Sequence, residues 1–438
     1  MEPGGSARSW LYRVRMGMHS GPAPAVLHLS RIVGGELWSD DGGKVGRVDD
    51  LIVRLGDDGY PPVTGVLATI AGRQVFVPAE SVAEISHDRT TLRSARLDLR
   101  PFERRPQEVL LRKDVLDRQL INVDGARLVR SNDIELARLE GWYRVVGVDT
   151  GLRGFARRLL PRALAAGVQS TSFLDWASVE PFTGHVPTVR LRIPHPKLAR
   201  LHPAQLADLV EAASHREGEE IIEAVATDPE LEADVFEELG SQHQLEFIEE
   251  WSDEEVAEMM ARMEADDAAD LVADLPDERR DLVIELLTPT QRRRVRALLG
   301  YDAATAGGLM SPDFVCVYGH ATQVEVLDRL RVSHAAADSL AWIFVMNARK
   351  RLIGAIALAD LLRTDPALPI AEVVELPQRV RPDADLEEVA RLMTDYDLTV
   401  VAVTDDDERL LGVITVDDVL ELVVPKGWRR RFGVFGDD

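Results

Sequence analysis

The 438-residue chain has very little cysteine, few aromatic residues (5%) and no long apolar run. Its one cysteine, Cys316, excludes an internal disulfide and a multi-cysteine zinc or iron–sulfur site, which fits a reducing compartment. No stretch approaches the roughly 18 consecutive apolar residues of a membrane-spanning helix. Arg8, Arg13 and Arg15 are not followed by the apolar core of a secretory signal. We therefore expect a cytoplasmic protein, and at roughly 100–200 residues per domain the length predicts two to four domains.

Sequence motifs of the common catalytic sites are missing as well. The chain has no P-loop, no Gly-x-Ser-x-Gly and no His-Glu-x-x-His. Its ten histidines are scattered. We therefore expect no enzymatic activity.

Negative charge is concentrated in one block. Residues 201–288 contain 4 Lys/Arg and 28 Asp/Glu, a net charge of −24 that equals the formal net charge of the whole chain. Such a block repels nucleic acid and attracts cations. Apolar residues recur at helical spacing throughout it, which favours folded helices over a disordered acidic tail. Nucleic acid is therefore disfavoured as a partner of the whole chain.

Short strand patterns dominate the N-terminal part. Turn signals such as Asp40-Asp41-Gly42-Gly43 separate them, and this predicts a small β-barrel over 27–100. Lys44–Leu51 aligns with Arg127–Ile134 at an offset of 83, so we assign 106–165 to a second copy. Residues 166–194 carry several prolines and are assigned to a linker.

The stretch from Gly43 to Leu51, Gly-Lys-Val-Gly-Arg-Val-Asp-Asp-Leu, resembles PRC-barrel domains. These are small β-barrels that serve as adaptor modules in ribosome maturation and in photosynthetic reaction-centre proteins. The resemblance implies an interaction module rather than a reaction. It leaves open an RNA- or ribosome-associated adaptor as one alternative function.

The pattern changes to a period of 3.6 residues near His195. Short helices joined by tight breaks predict an all-α helical superhelix over 195–304. A strand–turn–strand–helix unit then occurs twice, over 305–374 and 375–425, with Gly354 and Gly412 spaced 58 apart, as are Asp360 and Asp418. The predicted fold is thus multidomain α+β: N-terminal β-barrels, a central helical superhelix and a C-terminal α/β pair.

The tandem unit resembles a CBS-domain pair. Together with the segment Thr305-Ala306-Gly307-Gly308-Leu309-Met310-Ser311-Pro312 and the acidic motif Asp266-Asp267-Ala268-Ala269-Asp270, residues 196–425 resemble the cytosolic part of MgtE-type magnesium transporters. That family continues into a membrane domain, whereas this sequence stops at Asp438 without a membrane helix, so transport by this chain alone is not expected. The resemblance implies a divalent-cation sensor that forms a homodimer through its CBS pair and regulates a separate membrane metal transporter.

A magnesium site follows from the acidic helix motif. Asp266, Asp270 and Asp274 lie one turn apart and share a helix face. Stacked carboxylates repel one another, and a shared cation removes that repulsion. Mg²⁺ prefers such oxygen ligands and keeps several waters.

The resemblance places further acidic residues on the facing CBS surface. The predicted metal ligands are Asp266 and Asp270 on the helical domain and Asp385, Glu387, Asp397, Asp418 and Glu421 on the CBS pair. We expect weak, millimolar-range Mg²⁺ binding. The alternative is that these are surface carboxylates and helix caps.

A second ligand competes for one of these residues. CBS pairs bind adenosine nucleotides through a Thr and an Asp, and the second repeat has Thr415 and Asp418 at the matching positions. The first repeat has Ala357 in place of the threonine, so we predict at most one ATP or AMP site. An adenine-nucleotide-responsive CBS regulator or an adaptor scaffold is therefore a further alternative function. The plainer interpretation is that Thr415 caps the helix that follows it.

A basic aromatic tail over 426–438 closes the chain, with Lys426, Trp428, Arg429–Arg431 and Phe432. A second basic cluster is formed by Arg153, Arg157, Arg158 and Arg162. Such segments contact anionic lipid or an acidic partner. The tail predicts peripheral contact with the inner face of the membrane, and a solvated tail is the alternative.

Overall fold

The computed structural model describes residues 26–56, 59–94, 102–105, 107–151, 173–182, 197–333, 335 and 339–424. The chain divides into two compact units, 1–227 and 228–438. Both predicted basic clusters, around Arg153 and in the tail 426–438, lie outside the described residues. Among the residues described, no helix has the length and apolar character needed to cross a membrane.

Unit 1 (residues 1–227) is rich in short strands, as the sequence predicts. They are β1 (Leu27–His28), β2 (Glu36–Trp38), β3 (Lys44–Arg54), β4 (Val63–Ile70), β5 (Arg73–Pro78), β6 (Val82–Ile85), β7 (Arg89–Leu92), β8 (Glu108–Leu110), β9 (Gln119–Asn122), β10 (Arg127–Arg130), β11 (Asp133–Leu139), β12 (Trp142–Asp149), β13 (Phe173–Asp175) and β14 (Val179–Pro181). One sheet has the order β5-β4-β3-β2-β7-β6, and two smaller sheets have the orders β1-β11-β12-β13 and β10-β9-β14. The described strands form open sheets, and no closed barrel is detected among them.

The two copies of the strand pattern exchange their first strands. β1, at the start of the first copy, pairs with β11 of the second, and β8, at the start of the second, pairs with β3 of the first. A helical turn follows each exchanged strand, α1 (Leu29–Ile32) after β1 and the π-helical turn Leu111–Val115 after β8. The copies are thus interlocked rather than separate domains.

Two buried aspartates at equivalent positions hold these turns. The Asp50 carboxylate accepts hydrogen bonds from the backbone N–H groups of Arg112 (2.7 Å) and Lys113 (3.1 Å). Asp133, 83 residues later, accepts one from the backbone N–H of Ser30 (3.0 Å). Burial raises the pKa of Asp50 to about 7. The same role for both side chains supports the alignment of the two copies.

The assignment of 166–194 to a linker differs from the structure. Residues 173–181 form β13, the 3₁₀ turn Trp176–Ser178 and β14, which pair with β12 and β9 of the second copy. The prolines suggested a linker, but Pro181 ends a strand, and proline is tolerated at strand ends.

A run of short α-helices begins at Pro203, and capping residues and prolines mark the helix starts. Ser214 and Ser252 form capping boxes with Glu217 and Glu255, and Pro289 occupies a first helical position, where proline costs no hydrogen bond. Unit 1 ends with α2 (Pro203–Ala212) and α3 (His215–Val225); unit 2 (residues 228–438) begins with α4 (Pro229–Glu237), α5 (Ser241–Ile248), α6 (Asp253–Met260), α7 (Ala265–Asp274), α8 (Asp277–Leu286) and α9 (Pro289–Leu298).

The C-terminal part of unit 2 consists of two similar three-stranded sheets. Its elements are α10 (Ala306–Leu309), β15 (Val315–Tyr318), α11 (Gln323–Arg331), β16 (Trp342–Met346), β17 (Leu352–Ala357), α12 (Leu358–Leu361), β18 (Arg379–Val380), α13 (Leu386–Tyr396), β19 (Val400–Thr404), β20 (Leu410–Thr415) and α14 (Val416–Val423). In each sheet the first strand is parallel to the second, and the second is antiparallel to the third. Val345 pairs with Gly354, and Val403 pairs with Gly412. The 58-residue repeat is therefore confirmed in the strand register.

The segment containing the Ala-Gly-Gly-Leu-Met motif packs on the second sheet. Ser311 and Val413 exchange backbone hydrogen bonds of 2.8 and 2.9 Å, and Met310 lies directly over Gly412. A Cβ atom at Gly412 would approach the Met310 side chain to 2.7 Å. Position 412 requires glycine because of this close approach.

Replacing Gly412 by alanine is expected to cost about 1–3 kcal/mol of unfolding free energy, the usual range for overpacking a core. The double variant Met310→Ala with Gly412→Ala should lose less stability than the sum of the two single variants. Met310→Ala removes the side chain that a Cβ atom at position 412 would meet. Urea denaturation of the four proteins measures this coupling. Additive losses would show that Met310 does not explain the glycine.

Candidate metal centre

Carboxylates near the start of α7 interact electrostatically with Asp418 at the start of α14. Helix α7 buries Ala268, Ala269, Leu271 and Val272 and packs against α8 and α9. Alanine favours helix formation, and its small side chains permit this close packing. Asp266 and Asp267 fall in the first turn of the helix.

Two further carboxylates come from the same helical region. Glu264 immediately precedes α7, and Glu237 is the last residue of α4. The backbone N–H of Glu264 donates a 2.6 Å hydrogen bond to Oε1 of Glu237. This contact fixes the end of α4 against the start of α7.

Asp418 contributes a carboxylate from the second repeat. It lies in the first turn of α14, where it forms a capping box with Thr415. The backbone N–H of Thr415 donates to Oδ2 of Asp418 (2.9 Å), and that of Asp418 donates to Oγ1 of Thr415 (3.4 Å). The cap holds Asp418 at the N-terminal end of the helix.

The electrostatics of the cluster are those of crowded anions. Burial raises the pKa of Asp266 well above its usual value, and the charges of Glu264 and Asp418 raise it further. Burial also raises the pKa of Asp267, as do the charges of Asp266, Glu237, Glu264 and Asp418. Burial raises the pKa of Glu237 to about 8. Ionisation of these groups is therefore unfavourable unless a cation is close.

One atom of the cluster stands out. Oδ1 of Asp266 has less than 1 Å² of accessible surface and no hydrogen-bond partner. A buried carboxylate oxygen without a partner is costly, and ion binding is a standard reason for one. The donor set and this orphaned oxygen both fit a hard divalent cation.

The other predicted metal ligands lie at separate places on α7, α13 and α14. The Asp270 side chain is largely exposed on α7, but its carboxyl is partly desolvated, and this desolvation and the charge of Asp274 raise its pKa. Asp385 caps α13 by accepting a 2.8 Å bond from the backbone N–H of Glu388, and Asp397 ends the same helix in a left-handed conformation. Glu387 and Glu421 are exposed in α13 and α14. Within the predicted set, Asp266 and Asp418 interact electrostatically, since the charge of Asp418 raises the pKa of Asp266.

Sequence reasoning missed Asp267, Glu237 and Glu264. Asp267 was quoted in the acidic motif, but the rule that i and i+4 share a face directed attention to Asp270 and Asp274 instead. Glu237 lies 29 residues before Asp266, and a contact at that separation leaves no periodic signal. A helix start at Ala265 would have pointed to both Asp266 and Asp267, since acidic residues favour the first turn.

The predicted nucleotide residues form a self-contained cap. Thr415 is 3% exposed, and its hydroxyl accepts the hydrogen bond that starts α14. This is the arrangement expected of a helix cap.

Comparison with known proteins bears on the region that contains this cluster. Residues 201–304 match the family model of the MgtE intracellular N domain, and residues 306–366 and 372–425 match that of the CBS domain. The magnesium transporter MgtE of Thermus thermophilus is 45% identical over 141 residues, which cover 32% of this chain and 31% of that protein. The magnesium transporter MgtE of Bacillus subtilis is 27% identical over 209 residues, 47% of this chain and 46% of that protein.

Solved structures are similar over the same extent. One is the cytosolic domain of the Mg²⁺ channel MgtE in complex with ATP, 34% identical, with 51% of this chain and 92% of that chain covered and a TM-score of 0.48. Another is the soluble part of a magnesium transporter, 26% identical, with 52% and 90% covered and a TM-score of 0.47.

Residues 201–425 are therefore an MgtE N domain followed by two CBS domains. Through this region the chain is homologous to the cytosolic part of the MgtE transporters, as the sequence motifs predict. The matches span 31% and 46% of the length of the two transporters. The PRC-barrel resemblance and the CBS homodimer stay predictions.

Proposed function

We propose that this protein is a non-catalytic Mg²⁺ sensor whose ion lies between the N domain and the second CBS domain. The observation that supports it most is the buried, unpartnered Oδ1 of Asp266 in a cluster that includes Asp418. One carboxylate comes from α7 and the other from α14, so an ion shared by them links the two domains.

The ion would be held partly through water. No three of these carboxylates offer oxygen atoms that all lie within 4.8 Å of one another, as three direct ligands of one small ion would. Mg²⁺ is reluctant to lose its waters and is commonly held by one or two carboxylates. A hydrated ion on Asp266 or Asp267 and Asp418 fits both facts and implies weak binding.

Two states follow from this arrangement. With Mg²⁺ bound, α7 stays against the start of α14; without it, repulsion among the carboxylates favours separation. The ion changes the balance because it binds one state better than the other. We propose that this change, in a homodimer joined by its CBS domains, regulates a membrane magnesium transporter, since the curated relatives are named as such transporters.

Isothermal titration calorimetry tests the proposal directly. We expect millimolar-range Mg²⁺ binding to the full chain, and Asp418→Asn should weaken it at least tenfold because the CBS half of the site is lost. Asp417→Asn is the matched control, since Asp417 is adjacent but exposed, and it should bind like the wild type. Equal weakening by both variants would show that the loss of one negative charge, and not the loss of a ligand, reduces Mg²⁺ binding. Unchanged binding in Asp418→Asn would contradict a site shared by the two domains.

An adenine nucleotide is the second candidate ligand, because Thr415 and Asp418 lie side by side at the start of α14. Since both are engaged in the cap, we expect Thr415→Ala to cost about 1 kcal/mol of stability and to leave any stabilisation by ATP unchanged. Thr322→Ala, which removes a similar capping box from α11, is the control. Thermal unfolding of both variants with and without ATP distinguishes a helix cap from a nucleotide site. If ATP no longer stabilises Thr415→Ala but still stabilises Thr322→Ala, the nucleotide site is assigned to Thr415.

The remaining alternatives stay predictions: an RNA- or ribosome-associated adaptor role for the N-terminal strands, and contact of the basic tail with the inner face of the membrane. The N-terminal third also offers a different kind of site.

A further inference from the structure

Unit 1 contains a cavity of about 250 Å³ with apolar walls. Its walls include Val63 and Val66 of β4, Ala79, and Val82 and Ile85 of β6. The hairpin between β11 and β12 closes one side with Trp142 and Tyr143. The Tyr143 hydroxyl donates to the carbonyl of Ile85 (3.1 Å) and accepts from its N–H (2.9 Å). These two hydrogen bonds fix the position of Tyr143 in the cavity wall.

The internal repeat supplies a reference for this cavity. Phe76–Val82 corresponds to Phe173–Val179, because Gly65 pairs with Pro78 as Gly147 pairs with Asp175. A Cβ at Gly65 would meet the ring of Phe76, and one at Gly147 would meet the ring of Phe173.

The next residues agree with this correspondence. The N–H of Val82 donates to the carbonyl of Ala79, as that of Val179 donates to the carbonyl of Trp176. Ala79 therefore occupies the position of Trp176.

The two copies differ in what fills this position. Trp176 is 3% exposed and belongs to the hydrophobic core, whereas Ala79 lines the cavity. The flanking cations are alike: Arg93 Nε donates to the carbonyl of Val82 (3.1 Å), and Lys197 Nζ donates to that of Val179 (2.6 Å). The first copy therefore has the same backbone and cation contacts around this position as the second copy, but it lacks the indole side chain.

We propose that this cavity binds an aromatic side chain carried by an acidic segment of a partner protein. At about 250 Å³ it is smaller than the roughly 300–1,000 Å³ of small-molecule sites, but it suits a single anchoring side chain. Buried aromatic anchors dominate many protein interfaces.

The rim of the cavity indicates the charge of the partner. Arg93 and Arg138 are both exposed there, against one carboxylate, Glu80. Trp142 is 44% exposed beside them and offers a further apolar surface. Two arginines next to an apolar opening favour acidic residues on either side of the anchor.

Fluorine NMR of a probe peptide tests the proposal with the full chain. The probe is acetyl-Glu-Glu-Trp-Glu-Glu-amide with 5-fluorotryptophan, and its signal should broaden saturably on addition of the protein. Ala79→Trp should abolish the broadening because it fills the cavity. Arg93→Ala with Arg138→Ala should weaken binding at least fivefold. A peptide with lysine in place of glutamate should bind at least fivefold more weakly.

Two checks keep the test independent of misfolding. Thermal unfolding must show Ala79→Trp to be at least as stable as the wild type, as expected of a filled cavity. Trp142→Ala, at the exposed rim, should weaken the probe without disturbing the core.

Equal broadening with Ala79→Trp, or equal binding of the lysine peptide, would overturn the proposal. Two other occupants would also overturn it. Self-association that Ala79→Trp abolishes would identify a second copy of the chain, and probe binding that appears only after removal of residues 1–25 would identify the chain's own N-terminal segment.

Discussion

Replacing Asp266 and Asp267 together by asparagine is expected to stabilise the ion-free protein and to abolish its stabilisation by Mg²⁺. Both carboxyls have raised pKa values because of burial and neighbouring anions, so their ionisation opposes folding at pH 7. We expect a gain on the order of 2 kcal/mol, which for a unit of this size raises Tm by roughly 4–8 °C. Thermal unfolding in EDTA and in 10 mM Mg²⁺ (about ten times a millimolar Kd) measures both effects.

The matched control is Asp270→Asn with Asp274→Asn, two exposed aspartates of the same helix. This pair removes the same charge from α7, but from exposed positions. It should therefore change Tm by less than half as much as the Asp266 and Asp267 pair, and the protein should keep its response to Mg²⁺. The comparison separates the half-buried pair Asp266 and Asp267 from the exposed stripe expected from helical spacing. Loss of the Mg²⁺ response only in the control pair would place the ion on the stripe.

Raising the pH is expected to destabilise the ion-free protein and to tighten Mg²⁺ binding. An acid whose pKa is raised in the folded state binds more protons there than in the unfolded state, so stability falls as the pH rises between the two values. For Glu237 the interval runs from 4.5 to about 8. At about 1.4 kcal/mol per pKa unit, the loss across it is on the order of a few kcal/mol.

Mg²⁺ and protons compete for the same oxygens, so binding at pH 7 should release protons. Calorimetry in two buffers of different ionisation enthalpy detects that release, and urea denaturation at pH 5 and pH 8 detects the loss of stability. Glu237→Gln should flatten the pH dependence, whereas Glu238→Gln, its exposed neighbour, should not. Stability that rises towards pH 8 without the ion would contradict the raised pKa values.

The C-terminal architecture was predictable because its information is local. Gly354 and Gly412 each mark a strand in a repeated unit, and the spacing of 58 recurs in the register of both sheets. The exchange of first strands in unit 1 was not predictable in the same way. β1 pairs with β11 more than 100 residues later, and no local pattern records such a contact.

The candidate metal centre was predictable in part for a similar reason. Asp266 and Asp418 were found through motifs of the resembling family, and the structure brings their charges together. Asp267 and Glu237 were missed, because burial of a carboxylate depends on what packs over it. A single sequence shows that Asp266 and Asp270 share a helix face, but it does not show that Asp266 has a buried oxygen without a hydrogen-bond partner.

Hydrogen–deuterium exchange with and without Mg²⁺ tests the central claim, that one ion joins the N domain to the second CBS domain. The account predicts that Mg²⁺ slows exchange in both α7 (Ala265–Asp274) and α14 (Val416–Val423), at the same ion concentration, and that Asp418→Asn removes both effects. Slowing confined to one of the two helices, or exchange in both that does not respond to the ion, would contradict it.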